Sequence, residues 1–182
     1  MRAISIRQPW AWAILHAGKR IENRDWRGCS YRGPVLIHAA KTMVLRDFDE
    51  AVESILDASS LNDDEIAQLA FTRNAETVRW RPAPGLHIGG IVGRATIVDV
   101  YDQRNAAGHR MKADVCAGCG FRRPTVQELM AGAPLPFECQ EPDPWAARGC
   151  IGLVLADVEP LPFRPCPGAL GFFDVHDFMG LP

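Results

Sequence analysis

HAGKRIENRDW, residues 16–26, is the stretch that decides how this chain is read. Lys19 to Trp26 reads as a strand with a period of two, charged and uncharged side chains alternating from Arg20 to Arg24, a pattern that belongs to a strand and not to a helix. The alternation predicts Arg20, Glu22 and Arg24 on one face and Lys19, Ile21 and Asn23 on the other. On its N-terminal side, Trp10, Ala13, Ile14 and Ala17 recur at helical spacing behind Pro9, and Gly18 supplies a stop. On its C-terminal side, Trp26 to Gly33 reads as a turn into PVLIHAA, residues 34–40, apolar enough for a buried strand. Ala3 to Ile6 opens the chain as another short strand, with Ile4 and Ile6 on one face.

Beyond this block the pattern changes. Residues 47–70 carry eight acids and no base, with Phe48, Val52, Ile55 and Leu56 spaced for an amphipathic helix whose acidic face is expected to look into water. Asn62 to Glu65 has the form of a capping box for a second helix. IGGIVGRATIVDV, residues 88–100, is the longest strand-like run, with glycines where a barrel strand would bend. Residues 101–149 are rich in Gly, Pro and Cys and read as an insertion with one short helix near residues 124–131, after which residues 151–158 and GALGFFDV return to strand. Short strands with few helices between them do not fit a doubly wound sheet. They predict an α+β, mostly β fold: one domain over residues 1–182, built on a small barrel with peripheral helices.

Charge is distributed unevenly. Residues 1–46 hold nine Lys or Arg against two acids, whereas the whole chain carries a formal charge of -2. Such polarity lets one cationic face meet a polyanion while the protein as a whole stays near neutral. No window approaches the roughly 20 apolar residues of a membrane-spanning helix, and MRAISIRQPW lacks the apolar block of a signal peptide, so no membrane partner and a cytoplasmic location are expected. In that compartment the six cysteines are expected as thiols or metal ligands. Cys116 and Cys119, in DVCAGCGF, have the spacing and trailing glycine of a zinc knuckle; Cys139 and Cys150 are candidates to complete a structural zinc site, with His109 as a substitute.

Lys19, Glu22 and Arg24 in GKRIENR resemble the signature of the ASCH family, a lysine followed three residues later by glutamate and two after that by arginine. ISIRQPWAWAIL before it, YRGPVLIHAAK after it and VLADVEPLPFRPCPGALGFFDV near the end are similar to the microbial and phage branch of that family. The resemblance implies a PUA-like β-barrel related to RNA-binding domains and readers of modified bases, with the lysine and glutamate of the motif in a cleft. Some relatives are hydrolases, including a group that deacylates acetylated cytidine with threonine, lysine and glutamate. The position three after the lysine, where those relatives carry the threonine, is Glu22 here.

The residue chemistry agrees with a nucleic-acid or nucleotide partner. Arg7, Lys19, Arg20, Arg24 and Lys41 can contact phosphate, and Trp26 can stack on a base. Glu22 inside a basic run can orient its neighbours, accept from a base amino group or handle protons. Three functions therefore stand: a nucleic-acid-binding module for RNA or a modified base; a ribonuclease or nucleoside amidohydrolase using Lys19 and Glu22; and a protein interaction module using the acidic helices. Ser5 and Gln8 are expected to line the same cleft, and His38 is expected to be a satisfied structural histidine.

Overall fold

A computed structural model of the chain describes residues 1–59, 61–62, 64–65, 71–74, 79–102, 111–112, 115–116, 125–131, 143–147 and 149–176. In chain order the elements are β1 (Arg2–Ile6), α1 (Trp10–His16), β2 (Ile21–Arg24), β3 (Gly33–Ala39), α2 (Leu45–Ala58), β4 (Phe71–Arg73), β5 (Trp80–Pro82), β6 (Gly90–Asp102), β7 (Met111–Lys112), β8 (Val115–Cys116), α3 (Val126–Met130), β9 (Ile151–Pro165) and β10 (Phe172–Asp174). The main sheet has the order β10-β1-β3-β6-β9-β2, with separate two-stranded ribbons β4-β5 and β7-β8. The α+β, mostly β class read from the sequence is therefore the class observed.

The chain divides into two compact units, one of Met1–Lys19, Pro34–Thr96 and Asp157–Pro182, the other of Arg20–Gly33 and Ile97–Ala156. In the first, β1 runs parallel to β3 with Ile6 opposite Ala39, and antiparallel to β10 with Ile4 opposite Phe172. The hydrophobic effect closes this unit over Ala3, Ile4, Ile6, Leu36, Ile37 and Ile91, all buried. Helix α2 adds its apolar stripe as the periodicity predicts: Phe48, Val52 and Ile55 are buried, and Phe48 meets Phe71 edge to face at 5.4 Å, which in turn meets Trp12 at 4.8 Å.

The acidic face of α2 is not wholly solvated. Asp49 accepts the backbone N–H of Trp80 at 2.8 Å and Glu53 accepts its indole N–H at 2.9 Å, so two carboxylates hold a tryptophan that is only 1 % exposed. A buried indole must satisfy its donor, and these acids do so. In the second unit, β2 pairs antiparallel with the start of β9 in the register Ile21 to Val154, Glu22 to Leu153, Asn23 to Gly152 and Arg24 to Ile151.

Candidate nucleic-acid interface

The GKRIENR run is shared between the units, with Lys19 ending the first segment of one and Arg20 opening the other. Lys19 is placed by the end of α1. Ala17 and Lys19 both donate their backbone N–H groups to the carbonyl of Ala13, at 3.0 and 3.1 Å, and Gly18 between them adopts φ +69°, a left-handed turn that glycine takes without strain. The strand therefore starts at Ile21, and Lys19 and Arg20 precede it. The expected alternation holds only from Ile21 to Arg24.

Lys19 is 3 % exposed, and its Nζ lies 5.5 Å from the centre of the Trp10 ring. An ammonium withdrawn from water needs compensation, and the face of an indole supplies part of it. Trp10 is half-buried, while Trp12 belongs to the core. Of the tryptophans near the N-terminus, then, only Trp10 is close to the run's chemistry.

In the second unit Glu22 is 7 % exposed and its Oε1 lies 3.2 Å from Nη2 of Arg24. The Arg24 guanidinium in turn sits 5.4 Å from the centre of the Trp26 ring. Carboxylate, guanidinium and indole form a series along one strand and its turn, with the cation in contact with both partners. Arg20 is turned elsewhere: it is exposed, and its Nε donates to Asp143 Oδ2 at 2.9 Å. Because Arg20 is exposed, this ion pair is worth little and leaves the guanidinium within reach of solvent.

Asn23, on the opposite face of β2, has a role that pattern reading did not reveal. Its Nδ2 donates to the Trp145 carbonyl at 2.8 Å, its Oδ1 accepts the Ala147 N–H at 3.0 Å, and the Cys150 thiol points at the same oxygen from 3.7 Å while donating to the Ala147 carbonyl at 3.0 Å. Asp143 also caps this turn through the Trp145 N–H at 3.0 Å. Residues 143–147 and Cys150 are thus clamped to the same strand that carries Glu22 and Arg24.

The remaining predicted residues lie in the first unit. The parallel register of Ile6 with Ala39 brings β1 and β3 to an end together, and Arg7 and Lys41, just beyond, are both exposed. Gln8 is not available to a ligand: Oε1 accepts the Trp12 N–H at 3.0 Å and Nε2 donates to the His87 carbonyl at 2.8 Å. His38 is structural, as expected. Both ring nitrogens are engaged, Nδ1 with Ser5 Oγ and Nε2 with the Cys166 carbonyl, each at 3.1 Å. A carbonyl only accepts, so Nε2 carries the proton and the Ser5 hydroxyl donates to Nδ1.

Of the cysteines considered for zinc, Cys119, Cys139 and the side chain of Cys116 lie outside the described residues, as does His109. Among the described residues no cluster of three His, Cys, Asp or Glu is placed to hold a metal. No described helix is long and apolar enough to cross a membrane.

The family model of the ASCH domain matches residues 4–147, most of the chain, including the last three residues of β1, α1 and the whole GKRIENR run. The chain belongs to the ASCH family. No curated protein resembles it closely enough to count as a relative. The mostly β sheet with peripheral helices is the PUA-like architecture implied by the motif, and the motif's Lys19 and Glu22 are buried charged side chains among the described residues.

Proposed function

We propose that this ASCH domain binds nucleic acid, RNA or a modified base in particular, through the GKRIENR run and its flanks. The observation that carries the reading is the Glu22–Arg24–Trp26 series. It combines an acceptor suited to a base amino group, a planar cation suited to phosphate or a base edge, and an aromatic face suited to stacking. Lys19 with Trp10, and the exposed Arg7 and Lys41, extend the same chemistry within the basic N-terminal block. The RNA-binding character of PUA-like families supports it. Fluorescence anisotropy with labelled single-stranded RNA and DNA tests it: Arg24→Ala weakens binding to whichever strand is preferred, and equal affinity of wild type and variant for all probes would contradict it.

A second reading is hydrolysis of RNA or of an acylated nucleoside. It is favoured by the burial of Lys19 and Glu22, because desolvation is how amines and carboxylates are tuned for proton transfer. Incubation with RNA and with acylated nucleosides, compared between wild type and Lys19→Ala, distinguishes an enzyme from a binder. The interaction-module reading loses ground, since Asp49 and Glu53 of α2 are occupied by Trp80.

For the insertion we propose a structural zinc held by the Cys116 and Cys119 knuckle, with Cys139 and Cys150 as the further ligands and His109 as a substitute. The Cys150 thiol donates to the Ala147 carbonyl and lies near Asn23 Oδ1, so its recruitment as a thiolate would give up that hydrogen bond. Metal analysis of the purified protein, with Cys116→Ser and Cys150→Ser as separate variants, identifies the ligands.

A further inference from the structure

His87 follows a tight turn closed by the Leu86 N–H donating to the Ala83 carbonyl at 3.0 Å. Its ring lies flat on Phe163 of β9, with centroids 4.3 Å apart and planes within 3° of parallel. Both partners are fixed. Gln8, only 6 % exposed, pins the His87 backbone through its carbonyl. Phe163 passes so close to β6 that a Cβ on Gly90 would stand 2.6 Å from Phe163 Cε2 and 2.4 Å from the Arg164 carbonyl oxygen, a space only glycine leaves open. The strand pairing therefore holds the phenyl ring, and the phenyl ring supports the imidazole.

His87 remains exposed even though one face of its ring is covered by Phe163, which leaves a ring backed by a second ring at the surface. Cations surround it in the chain. Arg7 adjoins Gln8, Arg164 follows Phe163, and the Lys41 side chain runs past Gly89, its Cβ and Cγ 3.8 Å from where a Cβ on that glycine would be. Arg7 and Lys41 were legible in the sequence as phosphate contacts; the aromatic surface beside them was not.

We propose that His87, backed by Phe163, is a stacking subsite for one unpaired base of a single-stranded nucleic acid, with Arg7, Lys41 and Arg164 meeting the neighbouring phosphates. The proposal rests on the nucleic-acid reading above. Stacking on a rigid ring is tolerant of base identity and carries no ion release, whereas each phosphate contact adds to the salt dependence. The two kinds of contact are therefore separable by experiment.

The test uses the full chain and a short single-stranded RNA carrying a fluorescent purine analogue, titrated over a range of salt. His87→Ala is expected to weaken binding by about five- to a hundredfold, the range for loss of one stacked base, with an unchanged salt slope and reduced stacking-induced quenching of the analogue. His87→Phe, which restores a ring without a charge, is expected to recover the affinity. Lys41→Ala is expected to lower the slope instead. If wild type binds and His87→Ala binds equally well, the subsite is overturned while the nucleic-acid reading stands. If His87→Ala changes the slope and His87→Phe does not recover binding, His87 acts as a charge and stacking is overturned. If wild type binds no RNA at all, both fall together.

Discussion

Glu22 Oε1 and Arg24 Nη2 face each other at 3.2 Å along one side of a four-residue strand, the carboxylate almost wholly withdrawn from water and the guanidinium largely so. An ion pair so placed is costly to break from one side, because the surviving charge stays desolvated. Arg24→Ala is predicted to lower stability by about 1–3 kcal/mol, and Glu22→Gln, which keeps an acceptor for the arginine, by less. Chemical denaturation of both variants checks the order, and its result must be known before any binding defect of Arg24→Ala is attributed to lost contact with ligand.

Asn23 ties Trp145, Ala147 and Cys150 to β2 through two full-strength hydrogen bonds and a thiol contact. Asn23→Ala leaves the Trp145 carbonyl and the Ala147 N–H without these partners. The expected loss is about 2 kcal/mol of stability, at the usual net value of about 1 kcal/mol per bond. Hydrogen exchange at the Ala147 amide is predicted to speed up in the variant while that of the β1 amides changes little. Uniform acceleration across the chain would refute a local clamp.

Gly168 lies directly over the Ser5–His38 pair: a Cβ there would stand 2.4 Å from His38 Cε1, 2.7 Å from Ser5 Oγ and 2.8 Å from His38 Nδ1. Gly168→Ala is predicted to push the imidazole off both its partners and to cost about 1–3 kcal/mol, the usual range for forcing a methyl group into packed space. Nitrogen NMR of the histidine ring is the check, since wild type holds the proton on Nε2 and the variant loses that fixed tautomer. A ring spectrum identical to wild type would contradict the packing described.

Much of the architecture was legible because it depends on periodicity. Ile4 and Ile6, Ala13, Ile14 and Ala17, and Phe48, Val52 and Ile55 of α2 are buried where their spacing puts them, while Trp10 is only half-buried. The Asn62–Glu65 capping box forms reciprocally, at 2.8 and 3.0 Å. What the pattern misplaced was decided by contacts distant in sequence or by single backbone turns. Lys19 looked like the first residue of a strand, but Gly18 turns the chain so that the Lys19 N–H returns to Ala13. Arg20 looked like a partner of Arg24 and instead reaches Asp143, which no local rule anticipates. The acids of α2 looked solvated until Trp80 was seen to donate to two of them. The three-residue strands β4 and β5 are too short to leave a periodic signal.

If the GKRIENR run grips a polyanion, RNA binding must weaken as salt rises, and a salt titration measures this. For a single strand, log affinity falls linearly with log salt by about 0.7 for each phosphate neutralised, so Arg24→Ala is predicted to flatten the slope by about that amount relative to wild type. An affinity for RNA that is insensitive to salt, or a slope that Arg24→Ala leaves unchanged, would contradict the claim.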